Sequence, residues 1–514
     1  MISGQDLSPS RRHPLAGGAP PRGLRATLED MQWDNSFVRD LGWLGARVDP
    51  VPVADPHLLA LDEDLARELG ADPEQLRSDE GVEVLAGNRV ATGSQPIAQA
   101  YAGHQFGQLS PLLGDGRAHL LGEVVDIGGR RRDVALKGSG RTPFSRGGDG
   151  RAAIGPVLRE YLVSGFMHAV GVPTTRSLAA VATGEQVRRE RPLPGAVLTR
   201  VASSHLRIGT VVLLATQGSR EQLGALVEHV RARHHPHVAE GDVLDLFASV
   251  LERHADLVAA WMSLGFVHGV MNTDNMTLSG ETIDYGPCAF LDTYAPEQWF
   301  SSIDHTGRYR YSQQPTMAAW GLARLAEALV PLAQESPDDA VTRAQSLLDG
   351  FDARYQASRL DRARAALGLT GSTDDRDGEL VAELQGIARD EELDHTGLHR
   401  DLARLLRGEQ ARHLDEVEDR ERWAAWERTW RERVASTGRT PHEAAEAMDR
   451  VTPVYIPRNH LVEEALAAAE GGDLAPFAAL DAALRDPFVE RPGRERLAEP
   501  APRFTRDYVT YCGT

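Results

Sequence analysis

The chain has 514 residues, of which 41% are hydrophobic and 25% charged, a composition typical of a globular protein large enough for two or more domains. Its formal net charge of -19 argues against a nucleic-acid partner, because phosphate backbones require basic surfaces. Two cysteines exclude a disulfide scaffold, and no apolar run approaches the ~18 residues that span a bilayer. We therefore expect a cytoplasmic enzyme that binds neither nucleic acid nor membrane.

Changes in composition divide the chain into five segments. Residues 1–24 are rich in Pro, Gly, Ser and Arg, which predicts a disordered tail. Residues 25–95 mix helical and loop patterns, and 96–210 carry short β-type runs interrupted by glycine. A long helical pattern lies within 211–330, and beyond about residue 315, through 331–514, the chain is helical and rich in Ala, Leu, Arg and Glu. These patterns predict a small antiparallel sheet followed by a largely helical region.

Four elements can be assigned within these segments. Runs at 118–125 and 133–137 flank a Gly-Gly turn and predict paired strands. A helix is predicted to start near Pro156, and a long helix to span 243–264. A further hairpin is predicted to turn at 279–280.

Lys137 is the single lysine among 56 lysine and arginine residues. An ammonium group is a compact point charge that fits between phosphate oxygens and a carboxylate, whereas a guanidinium is a wider planar fork. The run Val-Ala-Leu-Lys ending at this residue is also typical of the lysine strand of kinases. The pattern predicts a nucleotide site; the alternative is an incidental surface lysine.

Two neighbouring features fit the same site. Gly114 and Gly116 form a turn before a predicted strand, where backbone amides could approach a phosphate, although such turns are also common in hairpins. Glu160 follows Lys137 on the predicted helix at a spacing that suits a strand-to-helix ion pair. Without the lysine, Glu160 would be interpreted as a solvated helix residue.

The segment 268–286 contains a catalytic pattern with one change. His268 and Asn275 keep the spacing of a kinase catalytic loop, and Asp284 begins an Asp-Tyr-Gly triplet where kinases carry Asp-Phe-Gly. Val270 occupies the position of the catalytic base and cannot accept a proton, so Asp274 is the predicted substitute. Asn275 and Asp284 offer oxygen ligands that suit Mg²⁺ or Mn²⁺. The alternative is a polar turn.

Ten motifs together resemble the selenoprotein O (YdiU) family, and the resemblance runs from about residue 30 to the C-terminus. They are 101–107 (YAGHQFG), 113–118 (LGDGRA), 136–140 (LKGSG), 142–146 (TPFSR), 148–151 (GDGR), 159–162 (REYL), 173–176 (PTTR), 268–276 (HGVMNTDNM), 283–287 (IDYGP) and 455–460 (YIPRNH).

The resemblance implies an α+β, protein-kinase-like fold of two lobes. Residues 25–95 would extend an N-lobe at 96–210 that holds the small antiparallel sheet and the nucleotide loops. Residues 211–330 would form a mostly helical C-lobe with the catalytic and metal motifs, followed by a helical region at 331–514 that ends in a redox tail. Members of this family bind ATP in a reversed orientation and transfer AMP to protein hydroxyls, so the resemblance also implies a protein adenylyltransferase.

Site residues follow by position. The resemblance assigns ATP binding to Gly114, Gly116, Arg117, Lys137, Asp149, Gly150, Arg200, Arg207 and Asp284. It assigns Glu160 as the ion-pair partner of the lysine, Asp274 as the base, and Asn275 with Asp284 as the ligands of Mg²⁺ or Mn²⁺. Two arginine forks would neutralise departing pyrophosphate, although either one alone would be interpreted as solvent-exposed.

The two cysteines form a possible redox pair. Cys288 closely follows Asp284, and Cys512 is third from the C-terminus, where eukaryotic members of the resembled family carry selenocysteine. A reversible Cys288–Cys512 bond would tie the tail across the active-site segment, and we expect oxidation to lower activity. The alternative is a free thiol on a flexible tail.

Three functions remain open from the sequence. The first is AMP transfer from ATP to Ser, Thr or Tyr of proteins, the enzyme included, with release of pyrophosphate. The second is a kinase-like phosphotransferase that uses the γ-phosphate. The third is a non-catalytic nucleotide-binding scaffold, which Val270 alone would suggest and which the presence of Lys137, Glu160, Asn275 and Asp284 disfavours.

Overall fold

The computed structural model describes Leu28 and residues 31–415, 417–502 and 508–510. The predicted tail at 1–24 and Cys512 lie outside the described residues. Within the described residues, no helix is long and apolar enough to cross a membrane.

The strands of the described residues, numbered in chain order, are β1 (Gly45–Arg47), β2 (His57–Leu61), β3 (Ile97–Gln99), β4 (Gly103–Gln105), β5 (Gln108–Ser110), β6 (Ala118–Val125), β7 (Arg131–Lys137), β8 (Ala152–Ala153), β9 (Arg176–Arg188), β10 (Pro192–Ala202), β11 (Phe266–Val267) and β12 (Ala289–Phe290).

The α-helices are α1 (Ser36–Leu41), α2 (Glu63–Leu69), α3 (Pro73–Arg77), α4 (Asp79–Ala86), α5 (Ile154–Ala169), α6 (Ile208–Gln217), α7 (Arg220–His234), α8 (Val243–Ser263), α9 (Gln314–Leu329), α10 (Pro337–Asp349), α11 (Phe351–Ala366), α12 (Asp377–Asp390), α13 (His395–Arg407), α14 (Arg420–Ser436), α15 (Pro441–Asp449), α16 (Asn459–Glu470) and α17 (Ala475–Leu484).

The main sheet is antiparallel, with strand order β1-β3-β6-β7-β10-β9-β2 and β8 paired to β10. Apolar side chains on one face, such as Leu136 and Val197, pack in a core with Leu65 and Leu85 of helices α2 and α4. The other face contributes residues such as Leu198 to the large core that includes Leu158 of α5. The fold is therefore α+β, and the predicted small antiparallel sheet is confirmed.

Three predicted elements match the structure closely. Strands β6 and β7 pair across the predicted glycine turn. Helix α5 begins at Ile154, two residues before Pro156, and buries Val157, Leu158 and Tyr161. Helix α8 spans Val243–Ser263, and its Asp242 side chain caps the amide of Asp245. Helix α5 lies across β9 and β10, and it buries Glu160 close to the end of β7.

The predicted hairpin around 279–280 is wrong in its pairing. The chain does turn there, but Thr277 bridges to Arg207 and Thr282 bridges to Thr174, so the two flanking segments do not pair with each other. The Thr277 hydroxyl accepts the Glu281 amide and donates to the Glu281 carbonyl. The Thr277 side chain thus makes the hydrogen bonds that close the turn, and the backbone on either side pairs with distant segments.

The C-terminal helices have a core of their own. Apolar residues of α12 to α15 form a separate buried cluster. Trp423, Trp426 and Trp430 lie on one face of α14, and the rings of the last two stack with centroids 5.5 Å apart. The indoles of Trp426 and Trp430 donate to the carbonyls of Leu380 and Leu367, so this stripe fixes neighbouring elements.

Candidate active site

An ion pair joins the end of strand β7 to helix α5. Lys137 Nζ lies 2.6 Å from Glu160 Oε2 and 2.9 Å from Asp284 Oδ1. The ammonium group therefore connects the sheet, the helix and the segment of the Asp-Tyr-Gly triplet. The contact predicted from the spacing of Lys137 and Glu160 is present in the structure.

Two arginines share the same carboxylates. Arg200 Nε donates to Glu160 Oε1 at 2.7 Å, and Arg200 also pairs with Asp284 Oδ1. Arg207 Nη1 lies 3.5 Å from Asp284 Oδ2 and donates to the backbone carbonyl of Asp274 at 3.0 Å. Both arginines are almost fully buried, at 3% and 4% exposure, whereas each alone would be interpreted as exposed.

Glu160 and Asp284 are the two carboxylates that face the ammonium group of Lys137 and the guanidinium group of Arg200. Burial acts to raise the pKa of Glu160, but Arg200 and Lys137 outweigh it and lower that pKa. Burial also acts to raise the pKa of Asp284, and Arg200, Lys137 and Arg207 together hold it well below its usual range. Both carboxylates are therefore ionised at neutral pH, and the ammonium and guanidinium groups gathered around them are the groups that bind phosphate.

Asp274 lies in the 3₁₀ turn Thr273–Asn275 and is 9% exposed. Its Oδ1 is buried and has no hydrogen-bond partner. Burial raises the pKa of Asp274 to about 6, opposed by a hydrogen bond from its own backbone amide and by the charges of Arg207 and Arg146. A carboxylate in this state can accept a proton near neutral pH.

The predicted phosphate turn is built on tight contacts. Gly114 has φ of +72°, and a Cβ added there would lie 2.4 Å from the ring of Phe144. A Cβ at Gly116 would lie 2.9 Å from the Phe144 carbonyl. The carbonyl of Arg117 accepts the amide of Gly138 at 2.7 Å, which places this turn beside Lys137. Glycine is required here because a neighbouring loop packs directly on the backbone.

Asp149 and Gly150 lie on a loop beside β7 without joining the ion cluster. The Gly150 carbonyl accepts the amide of Gly140 at 3.0 Å, and Gly150 has φ of +71°. The Asp149 carboxylate pairs with Arg189 at 2.9 Å and accepts the amide of Arg151. The structure therefore places these two residues near the site but gives Asp149 an arginine partner of its own.

A cavity of about 990 Å³ opens on the lysine side of the cluster. Its lining includes Arg117, Lys137 and Glu160 on one side and Glu463 and Glu470 of α16 on another. The volume lies at the upper end of the roughly 300–1,000 Å³ typical of small-molecule sites. Asp274 does not line this cavity.

Asn275 and Asp284 have the donor atoms for a hard cation. The Asn275 amide nitrogen donates to the carbonyl of Val270 at 3.0 Å, which fixes the orientation of the side-chain amide. Asp284 has φ of +63°, and among the described residues its Oδ2 makes only the long 3.5 Å contact with Arg207. Amide and carboxylate oxygens fit Mg²⁺ or Mn²⁺. Among the described residues, this site included, no group of three or more His, Cys, Asp and Glu residues is arranged to hold a metal.

The family model of the protein adenylyltransferase SelO matches residues 32–485 of this chain. The chain belongs to the SelO family. Among its relatives, the protein nucleotidyltransferase YdiU of Mycobacterium sp. (strain KMS) is 53% identical over 489 residues, which is 95% of this chain and all of that protein. The proteins of the same name from Pseudarthrobacter chlorophenolicus and Cereibacter sphaeroides (strain ATCC 17023) are each 52% identical, over 93% and 94% of this chain and 97% and 99% of their own lengths. The predicted family is confirmed.

Two residues of the candidate site in this SelO-family chain are missing from the prediction. The guanidinium of Arg207 lies 4.4 Å from the ring centroid of Tyr101. Asp115 Oδ1 lies 3.7 Å from Arg207, and its Oδ2 accepts the amide of Gln99. Both residues fix the position of Arg207. Both residues could have been identified from the sequence, since Tyr101 begins the motif 101–107 and Asp115 is the charged residue between Gly114 and Gly116.

Gly103 of β4 also touches the candidate base. A Cβ at this position would lie 2.3 Å from Asp274 Oδ1 and 2.4 Å from Leu113 Cδ1. The glycine is therefore required by the close approach of the Asp274 carboxylate.

We expect Gly103→Ala to lower transfer activity by about 10²-fold, because the new methyl group displaces the Asp274 carboxylate. Overpacking should cost only about 1–3 kcal/mol of stability. Steady-state rates and thermal unfolding measure the two effects. Gly224→Ala is the matched control, because nothing lies within 4 Å of a Cβ at that helical position. Equal activity in both variants would show that the contact with Asp274 is unimportant.

Cys288 is buried, at 2% exposure. The Thr510 hydroxyl donates to the carbonyl of Pro287 at 2.9 Å, so the described end of the tail lies beside the residue before Cys288. Since Cys512 is outside the described residues, the Cys288–Cys512 pair stays a prediction.

Proposed function

We propose that this chain transfers AMP from ATP to Ser, Thr and Tyr hydroxyls of proteins, itself included, and releases pyrophosphate. The chain belongs to a family of protein adenylyltransferases. The observation that carries the proposal is the cluster of Lys137, Arg200 and Arg207, in which Arg207 also bonds the backbone of the buried Asp274. This cluster can neutralise phosphates next to a proton acceptor. The choice of the α-phosphate over the γ-phosphate rests on family membership.

We also infer a kinase-like arrangement of two lobes. The N-lobe would comprise 96–210 with its extension at 25–95, the C-lobe 211–330, and the helical region 331–514. The strand-to-helix ion pair of Lys137 and Glu160 supports this arrangement, because kinases use the same contact between sheet and helix.

In the proposed reaction, Asp274 accepts the proton of the acceptor hydroxyl. The hydroxyl oxygen then bonds to the α-phosphorus, the bond between that phosphorus and the oxygen bridging to the β-phosphate breaks, and pyrophosphate leaves. Lys137, Arg200 and Arg207 stabilise the charge on the leaving group. Val270 occupies the position of the catalytic base in kinases and cannot accept a proton. In the proposed reaction the buried Asp274 serves as the base instead.

Asn275 and Asp284 would hold Mg²⁺ or Mn²⁺. When bound, the ion neutralises phosphate charge and orients the nucleotide. Gly114, Gly116 and Arg117 would line the nucleotide, together with the loop of Asp149 and Gly150.

We propose ATP and proteins as the partners, in the cytoplasm and without nucleic acid, in keeping with the net charge of -19. Reversible Cys288–Cys512 bonding remains the proposed control of this activity. The contact of Thr510 with Pro287 supports it, because Thr510 lies beside the residue that precedes Cys288.

The decisive experiment compares ATP labelled at the α-phosphate with ATP labelled at the γ-phosphate. We expect α-label to become attached to protein, including the enzyme, while γ-label leaves in pyrophosphate. Equal or greater incorporation from the γ position would favour the phosphotransferase. Incorporation of neither label, with ATP still bound, would favour the scaffold.

A further inference from the structure

The hairpin of β4 and β5 packs against the turn that carries Asp274. Its two strands are joined by Phe106 and Gly107, which have φ of +52° and +86°. The amide of His104 donates to Thr273 Oγ1 at 2.9 Å, and the amide of Phe106 donates to Asn272 Oδ1 at 3.2 Å. The hairpin is thereby fixed to the turn that carries Asp274.

The hairpin presents polar side chains on the face that meets Asp274. Gly103 pairs with Ser110 and Gln105 with Gln108, and side chains alternate between the two faces of a strand. Because the Cβ direction of Gly103 points at Asp274, Gln105 and Gln108 share that face. Gln105 is half-buried and Gln108 is exposed. Each amide offers donors and an acceptor, the groups that bind a peptide backbone.

The outer edge of the hairpin is open, and its surface is partly apolar. Within the described residues, β5 pairs with no strand other than β4. Phe106 and Leu109 are 37% and 44% exposed. An unpaired strand edge with exposed apolar side chains is a typical docking surface for an extended chain.

Arg308 lies at the tip of the hairpin. A Cβ at Gly107 would be 3.4 Å from its Nη2. Its guanidinium stacks 5.1 Å from the Trp320 centroid and 5.7 Å from that of Tyr309, whose hydroxyl donates to Asn272 Oδ1 at 2.6 Å.

Arg308 is not neutralised by the described part of this chain. Arg324 also stacks 5.1 Å from the Trp320 centroid, but it pairs with Glu327. No described carboxylate forms an ion pair with Arg308, although the chain carries 75 acidic residues. Arg308 is therefore a positioned cation that lacks a counter-ion from the described residues.

We propose that the β4–β5 hairpin and Arg308 bind an extended segment of the acceptor protein that carries an acidic residue close to the modified hydroxyl. The proposal rests on the proposed function, because a protein hydroxyl that reaches Asp274 must bring its flanking backbone close to the hairpin that packs beside this carboxylate. Gln105, Gln108 and the open edge of β5 hold that backbone. Arg308 pairs with the acidic side chain.

The test uses two short fluorescent peptides that differ only in having Asp or Lys on either side of a central Tyr. Binding is measured by fluorescence anisotropy on the full chain, saturated with Mg²⁺ and an ATP analogue carrying a methylene group between the α- and β-phosphates. We expect the Asp peptide to bind about tenfold more tightly, the effect of one charge-assisted hydrogen bond. Arg308→Ala should reduce the preference to about twofold or less, whereas the matched Arg324→Ala should retain it.

A second variant tests the backbone contacts. Gln105→Ala combined with Gln108→Ala should weaken both peptides by the same factor, because backbone contacts do not depend on peptide charge. Absence of a charge preference in the wild type, or its survival in Arg308→Ala, would overturn the proposal. Transfer of α-label from ATP to the same peptides tests the proposed function separately, since charge-dependent binding is measured without any transfer.

Discussion

Replacing Asp274 with asparagine is expected to lower AMP transfer by about 10²- to 10⁴-fold, the usual contribution of a general base. The substitution keeps the shape of the side chain and removes a buried charge whose Oδ1 has no hydrogen-bond partner. The fold should therefore be retained. Initial rates with α-labelled ATP measure the first effect, and isothermal titration calorimetry should show nearly unchanged metal-dependent ATP binding.

The same carboxylate sets an expected pH dependence. Burial raises the pKa of Asp274 to about 6, Asp284 adds to the rise, and the charges of Arg207 and Arg146 oppose it. Since only the deprotonated form accepts a proton, the rate should increase with pH and level off above the pKa. A bound cation would further favour ionisation, so the midpoint should lie at or below about pH 6. A rate that falls as pH rises from 5 to 7 would contradict the role of Asp274 as base.

Asp284 provides the contrast to Asp274. Its carboxylate faces Lys137, Arg200 and Arg207, and it is the proposed metal ligand. Asp284→Ala should weaken metal-dependent ATP binding as well as transfer. It also leaves buried cations uncompensated, at a cost of about 3–5 kcal/mol in stability. Equal binding defects in the Asp274 and Asp284 variants would show that the two carboxylates do not have separate roles.

Local sequence patterns predicted the ion pair of Lys137 and Glu160 but not all of the residues that surround it. Lys137 and Glu160 were identifiable because a strand and the helix that follows it are close in sequence and their spacing is informative. The burial of Arg200 could not be predicted in this way. It depends on β10 pairing with β7, which sets Arg200 opposite Ala135. Long-range pairing of this kind leaves no periodicity in a single segment.

The wrong prediction of a hairpin at 279–280 has the same physical cause, which is pairing between segments distant in the sequence. A turn with glycine usually implies that the flanking residues pair with each other. Here Thr277 and Thr282 instead bridge to Arg207 and Thr174, and the Thr277 hydroxyl closes the turn. Likewise, the packing of Tyr101 on Arg207 joins segments that have no sequence relation to each other.

Lys137 occupies a position where a lysine and an arginine share the same two carboxylates. Arg200 already places its fork against Glu160 and Asp284, and the single ammonium group contacts the other Glu160 oxygen at 2.6 Å. The lysine side chain is 16% exposed and lines the cavity, so a bound nucleotide can reach it. A compact charge fits beside Arg200, whereas a second planar fork must compete with it for the same oxygens.

Lys137→Arg is therefore expected to fold but to lose transfer by about 10²-fold, because the wider head group misplaces the phosphates relative to Asp274. Thermal unfolding should change little, since the positive charge and its carboxylate partners are retained. Rates with α-labelled ATP measure the loss, and Lys137→Met separates charge from shape by keeping the length without the ammonium group. Arg191→Lys is the matched control, because Arg191 lines the same cavity but is 67% exposed and forms an ion pair with Glu470 outside the cluster. Near wild-type turnover of Lys137→Arg would mean that the one lysine of the chain is coincidental and that the positive charge alone suffices.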